Sequence, residues 1–310
     1  MYIFKKILRS NIFIYKLSLF IYGFINSTFV KFIRDEIVIS KNSKKLILKT
    51  QNISYTKELI DYFEFYFYSI EGSEILNELR FFPKSSFKLK NFKYREKIVF
   101  PSVPTPAITS KIYLDIYSPE KGSSVIDLGS YAGVTLIEYL IAVGVTGYVV
   151  GVEADPSNFL CLKENMEKFS MNFPEYKFDI LNAAITNHKK GVLFSSNHDM
   201  SSAIYEISND LYQRKENLVY VNSLNLSTLA DKYNLDKIDL IKADIEGSEL
   251  TALNDPVFFK NHNPKILLEP ISLKGKNSLS EIISLLKEFN YKFKTYSQHG
   301  ANAPLVLFYR

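Results

Sequence analysis

The chain has 310 residues, 46% of them hydrophobic, which predicts one large domain, or a domain with a sizeable extension, around a genuine core. The single cysteine, Cys161, excludes a disulfide within the chain and indicates a reducing compartment, so we predict a cytoplasmic protein. The net charge of +5 is uneven: residues 1–100 contain 18 Lys and Arg against 9 Asp and Glu, whereas the remainder is mildly acidic, which argues against nucleic acid as the partner of the second part.

Residues 1–34 are basic and rich in aromatic and aliphatic side chains, with six Lys and Arg and no acid. Their longest charge-free stretch, residues 17–30, has 14 residues, whereas a bilayer-spanning helix needs about 20. The segment has no small-residue cleavage site, so we do not predict a secretory signal. Three interpretations stay open: an ordinary packed helix, a basic-aromatic helix in a membrane interface, and a membrane anchor. Peripheral membrane contact through residues 1–34 is therefore a hypothesis, and it would make the protein membrane-associated.

Residues 35–100 show a mixed pattern of helix and strand. Residues 56–79 are predicted as a helix, because Leu59, Tyr62, Phe63 and Tyr66 share one side. The clearest boundary follows at residues 100–106, where three prolines in six residues block regular structure. We therefore predict a basic, aromatic-rich accessory region, residues 1–100, and a second domain, residues 101–310.

Beyond this boundary strands and helices alternate, which predicts an α/β domain with a doubly wound, mostly parallel sheet. Helices are predicted for residues 108–117 and 279–289. The predicted strands, in chain order, are residues 124–126, 147–152, 178–184, 219–221, 238–243, 265–268, 291–293 and 305–308.

A glycine-containing turn, Asp-Leu-Gly-Ser-Tyr-Ala-Gly at residues 127–133, joins the first of these strands to a helix. Glycine lets a backbone approach a ligand closely, and the helix N-terminus presents unpaired N–H groups at the same place. The spacing G-x-x-x-G differs from the dinucleotide fingerprint G-x-G-x-x-G. The carboxylate of Asp127 also suits a ligand that carries positive charge. S-adenosylmethionine, with an ammonium and a sulfonium but no pyrophosphate, fits this pattern.

Acidic residues end several of the predicted strands. Glu153 ends the second strand, where a carboxylate accepts hydrogen bonds from ribose hydroxyls, a feature that NAD and S-adenosylmethionine would both satisfy. Two later strands end at Asp244 and at Glu269. Ligands of open α/β sheets bind beyond the carboxyl ends of the strands. Together with Asp127, these residues therefore predict a single acidic crevice.

The motifs Ile-Asp-Leu-Gly (126–129), Gly133, Glu153 and, above all, Ile-Lys-Ala-Asp-Ile-Glu-Gly-Ser-Glu (241–249) resemble those of the FkbM family of S-adenosylmethionine-dependent methyltransferases. The resemblance covers roughly residues 105–300. It implies a seven-stranded, Rossmann-like class I methyltransferase sheet whose last strand is antiparallel. It also implies S-adenosylmethionine as cofactor and methylation of a hydroxyl on a sugar, a glycan or a secondary metabolite. One difference is visible, because Ser130 and Tyr131 stand where the family usually has Ala and Asn.

The turn and the neighbouring strand ends together predict a cofactor site. We expect the cofactor to contact, in chain order, Asp127, Gly129, Ser130, Tyr131, Gly133, Glu153, Ala154, Asn182, Ala183 and Asp244.

Methyl transfer to a hydroxyl needs an in-line attack and a group that removes or orients one proton. Asp244, at the tip of its strand, is the first candidate for this group. Glu246 is the second, and favourable charge at a helix N-terminus is the alternative explanation for it. His198, in a polar loop, is a candidate general base, with a plain loop histidine as the alternative. Oxygens of these carboxylates suit a divalent cation, but we predict no metal.

Three other functions are alternatives to methyl transfer to a hydroxyl. Methyltransferases that act on nucleic acid or protein amines commonly carry Asp or Asn followed by Pro-Pro and an aromatic residue at the fourth strand, where this chain has Asp-Ile-Glu-Gly (244–247). From a different class, the chain could be a non-catalytic binding module, and the intact cofactor motifs argue against this. A NAD-dependent sugar enzyme is disfavoured by the missing dinucleotide fingerprint. We therefore predict a small-molecule or glycan acceptor and no nucleic-acid partner.

Overall fold

The computed structural model describes residues 12–73, 76–104, 107–196, 202–204, 218–270, 278–297 and 304–310. Within them the chain forms two compact units, residues 1–107 and 108–310. Each unit has its own sheet, and each is described by itself below.

The first unit contains helices α1 (Ile12–Ile25), α2 (Thr56–Asp61) and α3 (Phe63–Ser69), a 3₁₀ helix (Thr50–Tyr55), and strands β1 (Phe29–Ile33), β2 (Glu36–Lys41), β3 (Lys44–Lys49), β4 (Glu78–Phe81), β5 (Ser85–Phe87) and β6 (Ile98–Phe100). Strands β1 to β4 form a sheet in that order. The first two pairings are antiparallel, and β3 pairs with β4 in parallel. Strands β5 and β6 form a separate antiparallel pair.

The single helix predicted over residues 56–79 is wrong beyond residue 69. Two short helices meet at Tyr62, whose φ of −108° and ψ of 24° interrupt the helical geometry. After α3 the chain turns at Gly72, where φ is +80°. It then enters β4, and Leu79 pairs with Leu46 of the neighbouring strand. Sheet pairing, a long-range contact, thus decides the conformation of a segment whose local apolar spacing favours a helix.

The second unit contains helices α4 (Ala107–Ile116), α5 (Val134–Val143), α6 (Pro156–Asn172), α7 (Leu226–Lys232), α8 (Glu249–Leu253), α9 (Pro256–Asn261) and α10 (Ser278–Lys287). Its strands are β7 (Ser124–Leu128), β8 (Tyr148–Glu153), β9 (Lys177–Asn182), β10 (Ala184–Ile185), β11 (Val192–Ser195), β12 (Ala203–Ile204), β13 (Leu218–Val221), β14 (Ser223–Leu224), β15 (Leu240–Ala243), β16 (Lys265–Leu268), β17 (Lys292–Tyr296) and β18 (Leu305–Tyr309).

Seven of these strands form one sheet in the order β17-β18-β16-β15-β7-β8-β9. All neighbours from β16 to β9 are parallel, and β18 runs antiparallel to both of its neighbours. This arrangement confirms the predicted doubly wound α/β class and the antiparallel last strand. The predicted third strand, residues 178–184, is divided: β9 ends at Asn182, and β10 pairs instead with β14.

The central strands are buried because helices cover the sheet. Ile126, Val150 and Ile241 are fully buried on adjacent strands, within one hydrophobic cluster that extends to helices α7 to α10. Gly151 allows α5 to lie close to β8, since a Cβ there would be 2.8 Å from Leu136 Cδ1. Buried parallel strands place their carboxyl ends together at one edge of the sheet, which is where the motif residues lie.

Among the described residues, no helix combines the length and the apolar character that crossing a membrane requires.

Candidate functional site

The turn after β7 depends on two glycines. Gly129 has a φ of +78°, and a Cβ on it would lie 1.9 Å from the carbonyl oxygen of Asp244. Gly133 has a φ of +90°, and a Cβ there would lie 2.9 Å from Leu162 Cδ1. Any other residue at position 129 would push the turn away from the end of β15. The first glycine therefore brings two strand ends, β7 and β15, into contact.

Hydrogen bonds tie the same turn to the end of β8. The N–H groups of Gly129 and Ser130 both donate to the carbonyl of Val152, over 2.9 and 3.1 Å. The Ser130 hydroxyl donates to the carbonyl of Asp127 over 2.9 Å. Tyr131 is nearly buried and has a φ of +48°, a left-handed conformation that costs a non-glycine residue about 1–2 kcal/mol. Its N–H donates to Glu153 Oε2 over 2.8 Å, which holds this strained residue in place.

Glu153 lies at the centre of these contacts. Its Oε2 accepts from Tyr131, and its Oε1 accepts from the N–H of Asp155 over 2.8 Å. Burial raises the pKa of Glu153 to about 7, against the opposing effect of these two donors. A carboxylate offers about four acceptor positions. Two backbone donors therefore leave capacity for a diol at the mouth of the turn.

The neighbouring predicted residues lie around Glu153. The Asn182 side chain donates to the carbonyls of Glu153 and Ala154, over 2.8 and 3.0 Å. The N–H of Ala183 donates to the same Glu153 carbonyl over 3.2 Å. The ends of β8 and β9 are thus held together, and Ala154, Asn182 and Ala183, which are predicted to contact the cofactor, lie next to one another.

A buried ion pair joins β7 to β15. Lys242 and Asp127 are partners in the register of these strands, and Lys242 Nζ lies 3.1 Å from Asp127 Oδ1. The two side chains are 2% and 0% exposed. The ammonium also donates to the carbonyl of Gly129 over 2.9 Å. The positive charge that Asp127 requires is therefore supplied by the chain itself, which the sequence argument for a cationic ligand did not include.

Burial and charge pairing act in opposite directions on the pKa of each member of this pair. Burial raises the pKa of Asp127, and the Lys242 ammonium opposes that rise. Burial lowers the pKa of Lys242, but the carboxylates of Asp127 and Asp244 outweigh it, and the pKa is raised. A buried lysine that stays charged needs such anions around it.

Asp244 follows β15 and differs from Asp127 in its access to solvent. Its side chain is 31% exposed. Tyr113 of α4, which is buried, donates to Asp244 Oδ2 over 3.1 Å, and its hydroxyl lies 3.5 Å from Glu269 Oε2. Lys242 Nζ lies 4.0 Å from the same Oδ2. Burial, and then the two carboxylates, raise the pKa of Tyr113 well above its usual value of 10, so its hydroxyl stays a donor.

A fifth carboxylate, Glu249, shapes the loop between β15 and α8. Its Oε1 accepts from the N–H groups of Ile245 and Gly247, over 3.2 and 3.1 Å. Glu246 and Gly247 have positive φ values, +52° and +92°. Burial raises the pKa of Glu249 to about 7, with its backbone donors opposing. Glu249 therefore holds two N–H groups of the loop in which Glu246 lies.

The predicted residues divide into three groups. The structure brings together the turn residues, Glu153 and the end of β9. Lys242 joins Asp127 to Asp244, and Tyr113 joins Asp244 to Glu269. Glu246 lies in the loop after β15. His198 lies outside the described residues.

Two residues of the cluster were missed from sequence, or were given no role. Tyr113 carries no sequence signal, because it is 131 residues from Asp244 along the chain. Glu249 does have a signal, since it is the last residue of the 241–249 motif and begins a helix. Within the described part of the chain, no group of three or more His, Cys, Asp or Glu side chains is arranged to hold a metal ion.

Comparison with known proteins identifies a family. The sequence model of the methyltransferase FkbM domain matches residues 127–293, more than half of the chain. This match confirms the resemblance drawn from the 127–133 and 241–249 motifs. No curated protein sequence matches the chain.

Several solved structures are similar to the chain. Methyltransferase FkbM from Methylobacillus flagellatus KT is 14% identical, with a TM-score of 0.45; the match covers 84% of this chain but 55% of that protein, so the chain spans about half of its length. Precorrin-6y C5,15-methyltransferase from Geobacter metallireducens GS-15 is 10% identical (67% and 91% covered, TM-score 0.42). A SAM-dependent methyltransferase from Aquifex aeolicus is 12% identical (64% and 87% covered, TM-score 0.36). Sequence identities of 10–14% and TM-scores below 0.5 carry no functional conclusion.

The buried ion pair yields a stability prediction. Replacing Lys242 by Met leaves the Asp127 carboxylate buried without its cation, which should lower the free energy of unfolding by about 3–5 kcal/mol. The double variant Lys242→Met with Asp127→Asn removes both charges and should recover more than half of that loss. Urea unfolding measures both. As a matched control, Lys163→Met breaks an exposed pair with Glu167 and should cost less than about 1 kcal/mol. Equal losses at the two lysines would contradict a structural role for the buried pair.

Glu249 should contribute to the pH dependence of stability. Its folded pKa of about 7 lies above the usual 4.5, so the folded chain binds this proton more tightly than the unfolded chain does. The contribution is fully present below pH 4.5 and is lost as the pH rises through 7. Glu249→Gln keeps an acceptor for the loop but does not titrate. The free energy of unfolding of the parent minus that of the variant should therefore fall by about 2–3 kcal/mol between pH 5 and pH 8.

Urea unfolding at several pH values measures this difference. Glu167→Gln on α6, at an exposed position, provides the control for the loss of one carboxylate. A difference for Glu249→Gln that stays constant with pH would show that the Glu249 carboxyl is ionised throughout the range.

Proposed function

The chain belongs to the FkbM methyltransferase family, and we propose that it transfers a methyl group from S-adenosylmethionine to a hydroxyl of a sugar, a glycan or a secondary metabolite. One observation carries the proposal. The glycine turn after β7 and Glu153 at the end of β8 form an acceptor-rich cradle, at the same edge of the sheet as the partly exposed Asp244, which follows the adjacent strand β15.

The residues present fit S-adenosylmethionine by the chemistry of their donors and acceptors. Glu153 keeps lone pairs for the ribose hydroxyls beyond its two backbone donors. The turn ends at the N-terminus of α5, where the first N–H groups of the helix need partners. Ala154, Asn182 and Ala183, which are predicted to contact the cofactor, lie beside Glu153. They would contact the adenine base of S-adenosylmethionine. Asp127 serves the site by holding Lys242, which fixes the turn through the Gly129 carbonyl.

S-adenosylmethionine would supply a methyl group on a cationic sulfur, which leaves as a neutral thioether when the acceptor oxygen bonds to the methyl carbon. The acceptor hydroxyl must lose its proton in that exchange. Asp244 is the residue that we propose accepts it. Tyr113 and Lys242 both approach Oδ2, and among the described residues no side chain donates a hydrogen bond to Oδ1, the oxygen that would orient the acceptor hydroxyl. Correct orientation of the two reactants by itself can contribute about 7–11 kcal/mol.

Glu246 and His198 keep supporting roles in this proposal. Glu246 lies two residues after Asp244, in the loop that Glu249 holds, and is the second candidate for a contact with the acceptor. His198, which lies outside the described residues, stays a candidate base. A hydroxyl acceptor is favoured over a nucleic acid because carboxylates dominate the crevice, and they would repel a polyanion. Methylation of an amine, or cofactor binding without catalysis, are the alternatives.

Cofactor identity is the first test. Calorimetry should detect binding of S-adenosylmethionine or its demethylated product, and no binding of NAD. Glu153→Ala removes the ionised acceptor and should weaken binding by about 10- to 150-fold, whereas Glu167→Ala on α6 should leave it unchanged. Ribose hydroxyls bind the ionised carboxylate better, so affinity should rise between pH 6 and pH 8, through the pKa of about 7 at Glu153. Binding of NAD alone would refute the proposal at its base.

The role of Asp244 is the second test. Asp244→Asn keeps the shape and the hydrogen bond from Tyr113 but accepts no proton, so turnover should fall by about 10²- to 10⁴-fold with cofactor affinity nearly unchanged. Glu246→Gln should cost less. Transfer of labelled methyl to a panel of glycans, hydroxylated small molecules, RNA and protein measures turnover and identifies the acceptor class.

The outcomes of that assay are separable. A folded Asp244→Asn protein with normal turnover would assign Asp244 a structural role and direct attention to His198. Transfer of the labelled methyl group to amines of RNA or protein would contradict the hydroxyl proposal and support the amine alternative. Cofactor binding without transfer to any acceptor class would support a binding module.

A further inference from the structure

Helix α1 contacts the first unit through a narrow stripe. Leu19 and Gly23 are its buried residues. A Cβ on Gly23 would lie 2.6 Å from Val30 Cγ2, so the glycine lets α1 lie directly against β1. On the same side, the Tyr22 hydroxyl donates to Asp61 of α2 over 2.6 Å. The helix is therefore held along the surface of the unit by one side only.

The other side of α1 is apolar and exposed. Phe13, Leu17, Phe20 and Phe24 follow one another at helical spacing, and Phe13 and Phe24 are 73% and 75% exposed. Scattered exposed apolar residues are ordinary, but a continuous row of large side chains marks an interaction surface.

This surface continues onto the edge strand β1. The rings of Phe20 and Phe29 are 5.9 Å apart in an edge-to-face arrangement. Phe29 and Ile33 are exposed on the same side of β1, with Lys31 between them, because side chains alternate along a strand. We call the whole surface the apolar face; it consists of Ile12, Phe13, Leu17, Phe20, Ile21, Phe24, Ile25, Phe29 and Ile33.

Uncompensated positive charge lies beside the apolar face. No Asp or Glu occurs between residues 12 and 34. Lys31 Nζ lies 5.2 Å from the Phe29 ring centre, and Lys16 Nζ lies 5.2 Å from the Phe32 ring centre. In the described residues neither lysine forms an ion pair. Other lysines of this unit do pair with carboxylates, as in Lys49–Asp35 and Lys57–Asp61.

We propose that the apolar face lies in the interface of a membrane that contains anionic lipid. The large side chains would enter the boundary between headgroups and acyl chains, while the lysine ammonium groups reach the phosphates. A second copy of the chain fits less well, because a two-fold contact through this face would bring its unpaired lysines together. The proposal does not depend on the methyltransferase function, and it assigns the membrane hypothesis for residues 1–34 to one face of α1 and β1.

The absence of tryptophan from the chain permits a direct test. Phe24→Trp places a single tryptophan, which is excited selectively at wavelengths longer than those that tyrosine absorbs, on the apolar face, and Tyr68→Trp places one at an exposed position on α3, outside it. With vesicles of phosphatidylcholine and phosphatidylglycerol, the emission of Phe24→Trp should shift to shorter wavelength and be quenched by brominated acyl chains. The emission of Tyr68→Trp should not change.

Vesicle sedimentation of the otherwise unsubstituted chain gives the second measurement. Phe13→Ser with Phe24→Ser should lower the partition coefficient by about tenfold or more, and Leu160→Ser on α6, also exposed, should leave it unchanged. Lys16→Gln with Lys31→Gln should weaken binding at low salt and make it less dependent on salt.

Three outcomes would overturn the proposal. If the emission of Phe24→Trp did not change on addition of vesicles, in a protein with a normal melting curve, lipid contact would be excluded. A shift that grows with protein concentration without vesicles would indicate a second copy. A short-wavelength emission at all concentrations without vesicles would show that the chain itself covers the face.

Discussion

The ion pair between Lys242 and Asp127 is the interaction on which the site depends. It joins two adjacent parallel strands at the edge where their carboxyl ends meet, and the same ammonium binds the first carbonyl of the glycine turn. Both charges are removed from water, so neither is tolerated without the other. The pair therefore fixes the distance between the turn after β7 and the end of β15, together with Gly129, whose missing side chain permits that approach.

Carboxylates of similar position have different roles because their surroundings differ. Asp127 is buried in an ion pair with Lys242, and Glu249 accepts hydrogen bonds from the loop that follows β15. Glu153 joins the turn to the start of α6. Asp244 alone among these four has a side chain that is one-third exposed. Three acids thus hold the backbone in place, and the fourth, Asp244, keeps access to solvent while it accepts a hydrogen bond from Tyr113.

The two units use hydrophobic residues in different ways. In the second unit apolar strands are buried between helices, and the sheet edge is left to polar groups. In the first unit α1 buries one narrow stripe and exposes large side chains next to unpaired lysines. The polar residues of the proposed methyltransferase site and the apolar residues of the proposed lipid-binding surface are therefore encoded in separate parts of the chain.

The sequence by itself determined the class of fold and the alternation of strands and helices that gives a parallel sheet, because these follow from local apolar periodicity. It also identified the motif residues around Glu153, because these form short motifs. It did not determine the end of the helix near residue 69, since pairing of β4 with β3 overrides local spacing. It identified Asp127 as an acid at a strand end but not its partner. Lys242 and Tyr113 reach Asp127 and Asp244 only when residues more than 110 positions apart are folded together. Which acids are buried, which one meets solvent, and which side of α1 is exposed were decided by the tertiary structure, because burial and charge pairing belong to the packed chain rather than to any segment of it.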